Sequence, residues 1–299
     1  MDTFFYKSFP KGVIRVVEED AEDYLQSQWT INLKKLPVGG IRYGLRLSTR
    51  GRVLADSFFL RLGEEEFLLL SKDCEAVELN SLLEENIVAD EVEFINESKN
   101  WELITFWGNE KDSIPKFIGA KIPEKGKFIQ YEQGYLFQDF RISPDAYSLL
   151  RPIQDDMPSG LNAKEVSFDL LEKKRIKAGQ VAVPVEIGPD ELPQEGRLEK
   201  VAIDFDKGCY LGQEVMARIH AMGRVRRLAF PVTWDGDEAP TLPSPLYSNE
   251  KKCGVLKSLV QLEGEQSIGM ALVHENAIDA LGNEGLTIKE IPEGRIHQA

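Results

Sequence analysis

From Lys207 to Arg227 the chain carries five cations, Lys207, Arg218, Arg224, Arg226 and Arg227, against one acid, Glu214. The whole chain instead has 36 Lys and Arg against 50 Asp and Glu, a formal net charge of −14. An anionic ligand needs such a local reversal from an acidic protein. The competing reading is a solvated strand whose arginines answer the acidic bulk. Just upstream, Leu192-Pro193-Gln194-Glu195 sets a carboxylate beside a proline-stiffened turn. A carboxylate accepts two parallel hydrogen bonds, so Glu195 suits the adjacent N–H donors of a 2-aminopyrimidinone edge, a pterin's among them. Cys209 follows Gly208, with Lys207 on the other side. A nearby cation makes a thiol more nucleophilic and suits redox or metal handling, whereas most isolated cysteines are small buried hydrophobes. The local pattern alone favours the second.

What is absent narrows the chemistry. The sequence has no G-x-x-x-x-G-K-[ST] loop, no G-x-G-x-x-G after a strand, no G-x-S-x-G elbow and no H-E-x-x-H, which disfavours the common nucleotide, hydrolase and zincin readings. Cys74, Cys209 and Cys253 are scattered without a C-x-x-C pair, as are His220, His274 and His297. No structural metal site is expected, and reduced thiols point to a cytoplasmic compartment. The acidic balance argues against nucleic acid and anionic membrane as partners. No apolar run reaches the ~18 residues of a membrane span, and Met1 to Arg15 reads as neither a secretory nor a transit peptide.

These residues need elements to position them. A helix is expected over Asp20 to Gln28, with Asp20 as its cap. Alternation from Ile41 to Leu70 reads as a β-meander turning at Ser48 to Gly51 and at Gly63 to Glu65. A helix with Ala76, Val77, Leu79, Leu82 and Leu83 on one face follows, capped by Ser71 and ended near Asn86. Strands over Val92 to Ile95 and Trp101 to Trp107 lead to a helix around Asp112 to Ile118, weakened by Pro115. The order then partly recurs: strands at Lys127 to Tyr131, Tyr135 to Phe140 and Ala146 to Leu150, then a helix from Ala163 to Ala178, capped by Asn162 and stopped by Gly179. After Gly223, extended runs at Val225 to Trp234, Val255 to Leu262, Ser267 to Val273 and Leu286 to Ile291 read as a small antiparallel barrel or sandwich, with Trp234 to Pro245 as a surface excursion. The fold class is α+β, with a hint of a duplicated unit.

Lys207-Gly208-Cys209-Tyr210-Leu211-Gly212-Gln213-Glu214, with the upstream Leu192-Pro193-Gln194-Glu195 and an Arg218 strand after it, resembles the YgfZ folate-binding family, whose eukaryotic relatives act in mitochondrial iron–sulfur protein maturation. Arg175-Ile176-Lys177-Ala178-Gly179 resembles its R-I-x-x-G element, and Gly51-Arg52-Val53-Leu54-Ala55-Asp56 its G-[KR]-[VI]-L-x-[DE] hairpin. The family is similar in fold to the glycine-cleavage T-protein, an aminomethyltransferase. The resemblance implies two ferredoxin-like-type α/β modules within residues 1–222 and a C-terminal β-barrel over 223–299, with the folate held in a central hole. In the transferase the hairpin bears two consecutive aspartates, one catalytic, where this chain has Ala55-Asp56. Asn32 stands where relatives often carry an acid, and Gln180 follows Gly179 where Ile-Pro is usual.

The resemblance implies a tetrahydrofolate-binding accessory protein of iron–sulfur cluster assembly or repair, with assembly factors or client proteins as partners. Glu195 would grip the pterin. Lys207, Tyr210, Gln213, Arg218 and Arg227 would complete the folate site, and Cys209 would be the functional thiol. The alternative is a folate-dependent aminomethyltransferase, in which Asp56 would move protons. A third reading is an interaction module whose pocket has lapsed.

Overall fold

The computed structural model describes residues 3–108, 121–153, 163–262 and 264–299. The chain opens with two strands, β1 (Thr3–Ser8) and β2 (Gly12–Val17), which enter different sheets although only Phe9, Pro10 and Lys11 separate them. β2 joins β3 (Ile41–Leu47), β4 (Val53–Arg61), β5 (Phe67–Ser71) and β6 (Glu93–Asn96) in the order β3-β4-β5-β2-β6. β1 joins β7 (Trp101–Gly108), β8 (Phe128–Tyr131), β9 (Gly134–Gln138), β10 (Tyr147–Pro152) and β11 (Lys164–Glu165) in the order β11-β1-β7-β10-β9-β8. Neither α/β module is therefore a continuous stretch of chain.

The start of β4 alternates with the period of two expected of a strand. On β4, Val53, Ala55 and Phe59 are buried in the main core, where Phe59 meets Trp29 edge-to-face with centroids 4.8 Å apart. Asp56 and Phe58 alternate to the opposite face. Helices Ala21–Gln28 and Ala76–Glu84 contribute Leu25, Leu79 and Leu83 to the same core.

The C-terminal strands β12 (Arg227–Trp234), β13 (Ser244–Ser248), β14 (Lys251–Val260), β15 (Ser267–His274), β16 (Leu286–Ile288) and β17 (Ile291–Gln298) close into a barrel, β12-β15-β14-β13-β16-β17. Each pairing is antiparallel. Trp234, Val273 and Leu286 fill its interior, together with Leu281 from the short helix Ile278–Asn283. Mixed α/β modules with a closed antiparallel barrel are the architecture expected from the sequence.

Local expectations fared less evenly. The Phe168–Lys177 helix starts five residues later than expected, with the Ser167 hydroxyl accepting from the Leu170 N–H at 3.4 Å. Lys164 and Glu165 are drawn instead into a parallel pairing with Phe4 and Phe5, a tertiary contact overriding a local cap signal. Asn162 and the helix expected over Asp112 to Ile118 lie outside the described residues. Ser71 belongs to β5 and does not cap the following helix, which begins at Ala76; its hydroxyl accepts from Cys74 N–H instead. Asp20 precedes its helix without capping it, and its carboxylate accepts from Glu91 N–H at 2.8 Å. The expected excursion to Pro245 already enters β13 at Ser244. Strands β1 and β2 and the helix Ile278–Asn283 were not foreseen.

Candidate ligand cavity

A cavity of about 1050 Å3 opens where the two sheets, the Phe168–Lys177 helix and the barrel strand β14 meet. The crossover Phe9-Pro10-Lys11 between β1 and β2 runs along its wall. Phe58, Leu70, Leu103 and Val183 make much of the surface apolar, and Asp56, Asp73, Arg141 and Glu186 interrupt it with charge. This mixture of apolar wall and few polar groups is the usual make-up of a small-molecule site.

Strand alternation delivers Asp56. Together with Phe58 and, from β3, Tyr43, it lies on the face of the sheet turned to the cavity. The Tyr43 hydroxyl donates to Asp56 Oδ2 at 2.6 Å and the Ser71 hydroxyl to Oδ1 at 3.2 Å, while the Cys74 thiol stands 3.7 Å from Oδ1. Burial disfavours the charged carboxylate and raises the Asp56 pKa despite the Tyr43 hydrogen bond and the nearby Arg141. Burial also holds the Tyr43 phenol well above its ordinary value, so it remains a donor. The Cys74 thiol is pushed up to about 12, first by burial and then by Asp56, which makes it inert. Asp73 rises to about 6, through burial and the Asp56 charge.

The opposite wall is braced by Arg175, the arginine of the R-I-x-x-G element. Its Nη1 and Nη2 pair with Glu186 Oε2 and Oε1 at 2.9 and 2.8 Å, and its Nε reaches Glu172 at 2.9 Å. Glu186 also accepts from Ala182 N–H at 2.7 Å and from the Ser258 hydroxyl of β14. One buried carboxylate thus ties helix, loop and barrel together. Nothing in the local sequence around Glu186 marks it; only its position after the R-I-x-x-G element could have drawn attention to it.

Of the eight residues selected from the sequence, Asp56 lines this cavity; Glu195, Lys207, Cys209, Tyr210, Gln213, Arg218 and Arg227 are not among its lining residues. Glu195 is buried and already held: Arg227 Nε donates to its Oε1 at 2.7 Å, Nη2 to its Oε2 at 3.1 Å, and Leu192 N–H to Oε2 at 2.8 Å. Lys207 is buried too, its ammonium donating to the carbonyls of Gln26, Trp29 and Ile31 at 2.6, 2.5 and 2.7 Å. Burial drives its pKa down to about 7, against the pull of Asp204. Its Nζ also sits 5.1 Å from the Tyr210 ring centre, and burial raises the Tyr210 phenol to about 12. Cys209 is exposed. Gln213 opens the helix Gln213–Met222 and is half-buried, and Arg218 lies exposed on that helix, where a strand was expected. Of the five clustered cations, Arg218, Arg224 and Arg226 are the ones that remain exposed.

The octapeptide nevertheless has a defined partner. Gly212, at φ +82°, sits so close to the β3–β4 turn that a Cβ there would stand 2.7 Å from the Ser48 carbonyl oxygen. Gly51, at φ +71°, is covered by Val215 and Met216, which a Cβ would meet at 2.9 and 2.8 Å. Both positions demand glycine on conformation and on space. The octapeptide, through Gly212, therefore packs on the turn from which β4 runs to Asp56.

Residues 10–128 match the GCVT N-terminal domain family. The chain is 22% identical over 302 residues to the tRNA-modifying protein YgfZ of Hamiltonella defensa, covering 95% of this chain and 86% of that one. It is 30% identical over 135 residues to the mitochondrial iron–sulfur cluster assembly factor IBA57 homolog of Coccidioides immitis, a match confined to 43% of this chain and 32% of the relative. In fold it is similar to the glycine cleavage system aminomethyltransferase T from Bartonella henselae, with a TM-score of 0.80 at 16% identity over 99% of this chain and 84% of that one. Along nearly the full length the chain is similar to YgfZ proteins in sequence and to the glycine-cleavage aminomethyltransferase in fold.

Proposed function

We propose that this protein binds tetrahydrofolate, or a related reduced folate, in the central cavity and serves as a cytoplasmic accessory factor in iron–sulfur cluster assembly or repair. The observation that carries the folate reading is the Asp56 carboxylate, desolvated at the wall of a cavity large enough for a drug-sized ligand. A carboxylate at the cavity wall is well matched to the adjacent N–H donors of a pterin ring. This moves the pterin-gripping role to Asp56 from Glu195, which is not among the residues lining the cavity. The iron–sulfur role draws its support from the likeness to the IBA57 homolog. Exposed Cys209 is the thiol available to a partner or cluster.

Calorimetric titration with tetrahydrofolate tests the first part. Wild type should bind, and Asp56→Asn should weaken binding by tenfold or more, about 1.4 kcal/mol. A wild type that does not bind, or a variant that binds equally, would refute it. Iron–sulfur enzyme activities in cells lacking the protein test the second part. They should fall, and Cys209→Ser should restore them poorly.

One observation favours an aminomethyltransferase as the second reading: burial raises the Asp56 pKa, which suits a group that moves protons. Folate-dependent ammonia release from an aminomethyl-lipoyl donor, abolished in Asp56→Asn, would establish it in place of the accessory role.

A further inference from the structure

The turn between β9 and β10 places Arg141 in the cavity wall, 6% exposed. Its guanidinium lies 4.7 Å from the Tyr43 ring centre. Its acceptors are neutral: Gln180 Oε1 at 2.8 Å and the Val181 carbonyl at 2.5 Å. Its Nε is buried without a hydrogen-bond partner. Among the described residues, no carboxylate oxygen comes within 4.0 Å of it. This contrasts with Arg175 on the same cavity, which holds two carboxylates. A buried cation without a counter-charge is costly, and a guanidinium offers five N–H donors in a planar fork.

Asp73 presents the complementary vacancy. It lines the same cavity, and among the described residues its carboxylate has neither a hydrogen bond nor an ion pair within 4.0 Å. Asp56 stands near enough to feel both, attracted by Arg141 and repelling Asp73. The cavity thus offers spare donors at Arg141 and a spare acceptor at Asp73. A ligand that complements it carries an acceptor oxygen next to a run of N–H donors.

We propose that Arg141 is the specificity-determining residue of this cavity, donating to the ring oxo group of a pterin while Asp56 and Asp73 accept from the neighbouring N–H groups. This rests on the folate reading above. A 4-amino ring would turn a donor toward the guanidinium, and the site would reject it because a buried donor is then left unpaired.

The test compares 6-methyltetrahydropterin with its 2,4-diamino counterpart, in which an amino group replaces the ring oxo. Neither has a glutamate tail, so no effect can arise from tail carboxylates. Wild type should prefer the oxo compound by roughly tenfold or more. Arg141→Gln should erase that preference by weakening the oxo compound, and Arg141→Lys should restore part of it. Equal affinity of wild type for the two compounds overturns the proposal without any variant. So does an Arg141→Gln protein, folded by its melting curve, that retains the wild-type preference. Failure of wild type to bind either pterin or tetrahydrofolate instead removes the folate reading, and this inference with it.

Discussion

Arg227 closes on Glu195 in a two-pronged pair, Nε to Oε1 at 2.7 Å and Nη2 to Oε2 at 3.1 Å. The pair joins the turn Pro193–Gly196 to the first barrel strand. Two residues that look like ligand contacts in the sequence are therefore each other's partner. Glu195→Gln should destabilise the protein by about 1–2 kcal/mol, with a matching coupling to Arg227→Met in a double-mutant cycle. Tetrahydrofolate affinity should move by less than about threefold, since so small a ratio corresponds to under 1 kcal/mol. A tenfold loss of affinity at unchanged melting temperature would return Glu195 to the ligand site.

Lys207 is expected to act as a strut. Lys207→Met strands three buried carbonyls, those of Gln26, Trp29 and Ile31, and should cost about 3 kcal/mol or more in urea unfolding. Arginine should not rescue it, because a planar fork cannot converge on three carbonyls around one nitrogen. Unchanged stability in Lys207→Met would show that the ammonium holds nothing together.

The contact of residues 212–216 with the β3–β4 turn makes Gly51 and Gly212 intolerant of even a methyl group. Gly212→Ala adds a strained positive φ to a close approach to the Ser48 carbonyl and should lose about 2 kcal/mol or more. Gly179 makes a control, because its φ is also positive but a Cβ there would meet no atom within 4 Å. Gly179→Ala should lose only the conformational part, about 1 kcal/mol. Equal losses at the two sites would mean that the close contact contributes nothing.

Asp73 should make stability fall with rising pH. Its pKa is raised from 3.8 to about 6 by burial and by Asp56, so the folded state binds more protons than the unfolded chain between those values. The resulting destabilisation is absent below about pH 4, grows between 4 and 6 and is complete above 6. Asp73→Asn should therefore gain on the order of 1–3 kcal/mol over wild type at pH 7.5 and little at pH 4. The same gain at both pH values, read from urea midpoints, would exclude this account.

The elements were legible where the pattern was local. Alternation at Ile41 to Leu47 and Val53 to Ser57, with the turn residues between the strands, located β3, β4 and β5, although much of their length is buried on both faces. Strands β1 and β2 escaped because their pairing lies in partners distant along the chain: Phe5 opposite Phe106, and Ile14 opposite Leu69. The Phe168–Lys177 helix was recognisable, but its first turn was not, since Glu165 pairs with Phe5.

For the site, the sequence by itself carried the resemblance to the YgfZ family, through the octapeptide, the R-I-x-x-G element and the Gly51 hairpin. Glycine at positions 51 and 212 answers a positive φ, which is a property of the single residue. Only the tertiary structure decided what faces the cavity. Burial and pairing are properties of space: Lys207 turned inward to three carbonyls and Glu195 was taken by Arg227. Asp56, Arg141 and Glu186, which share no local motif, were brought to one cavity by strands and loops far apart in the chain.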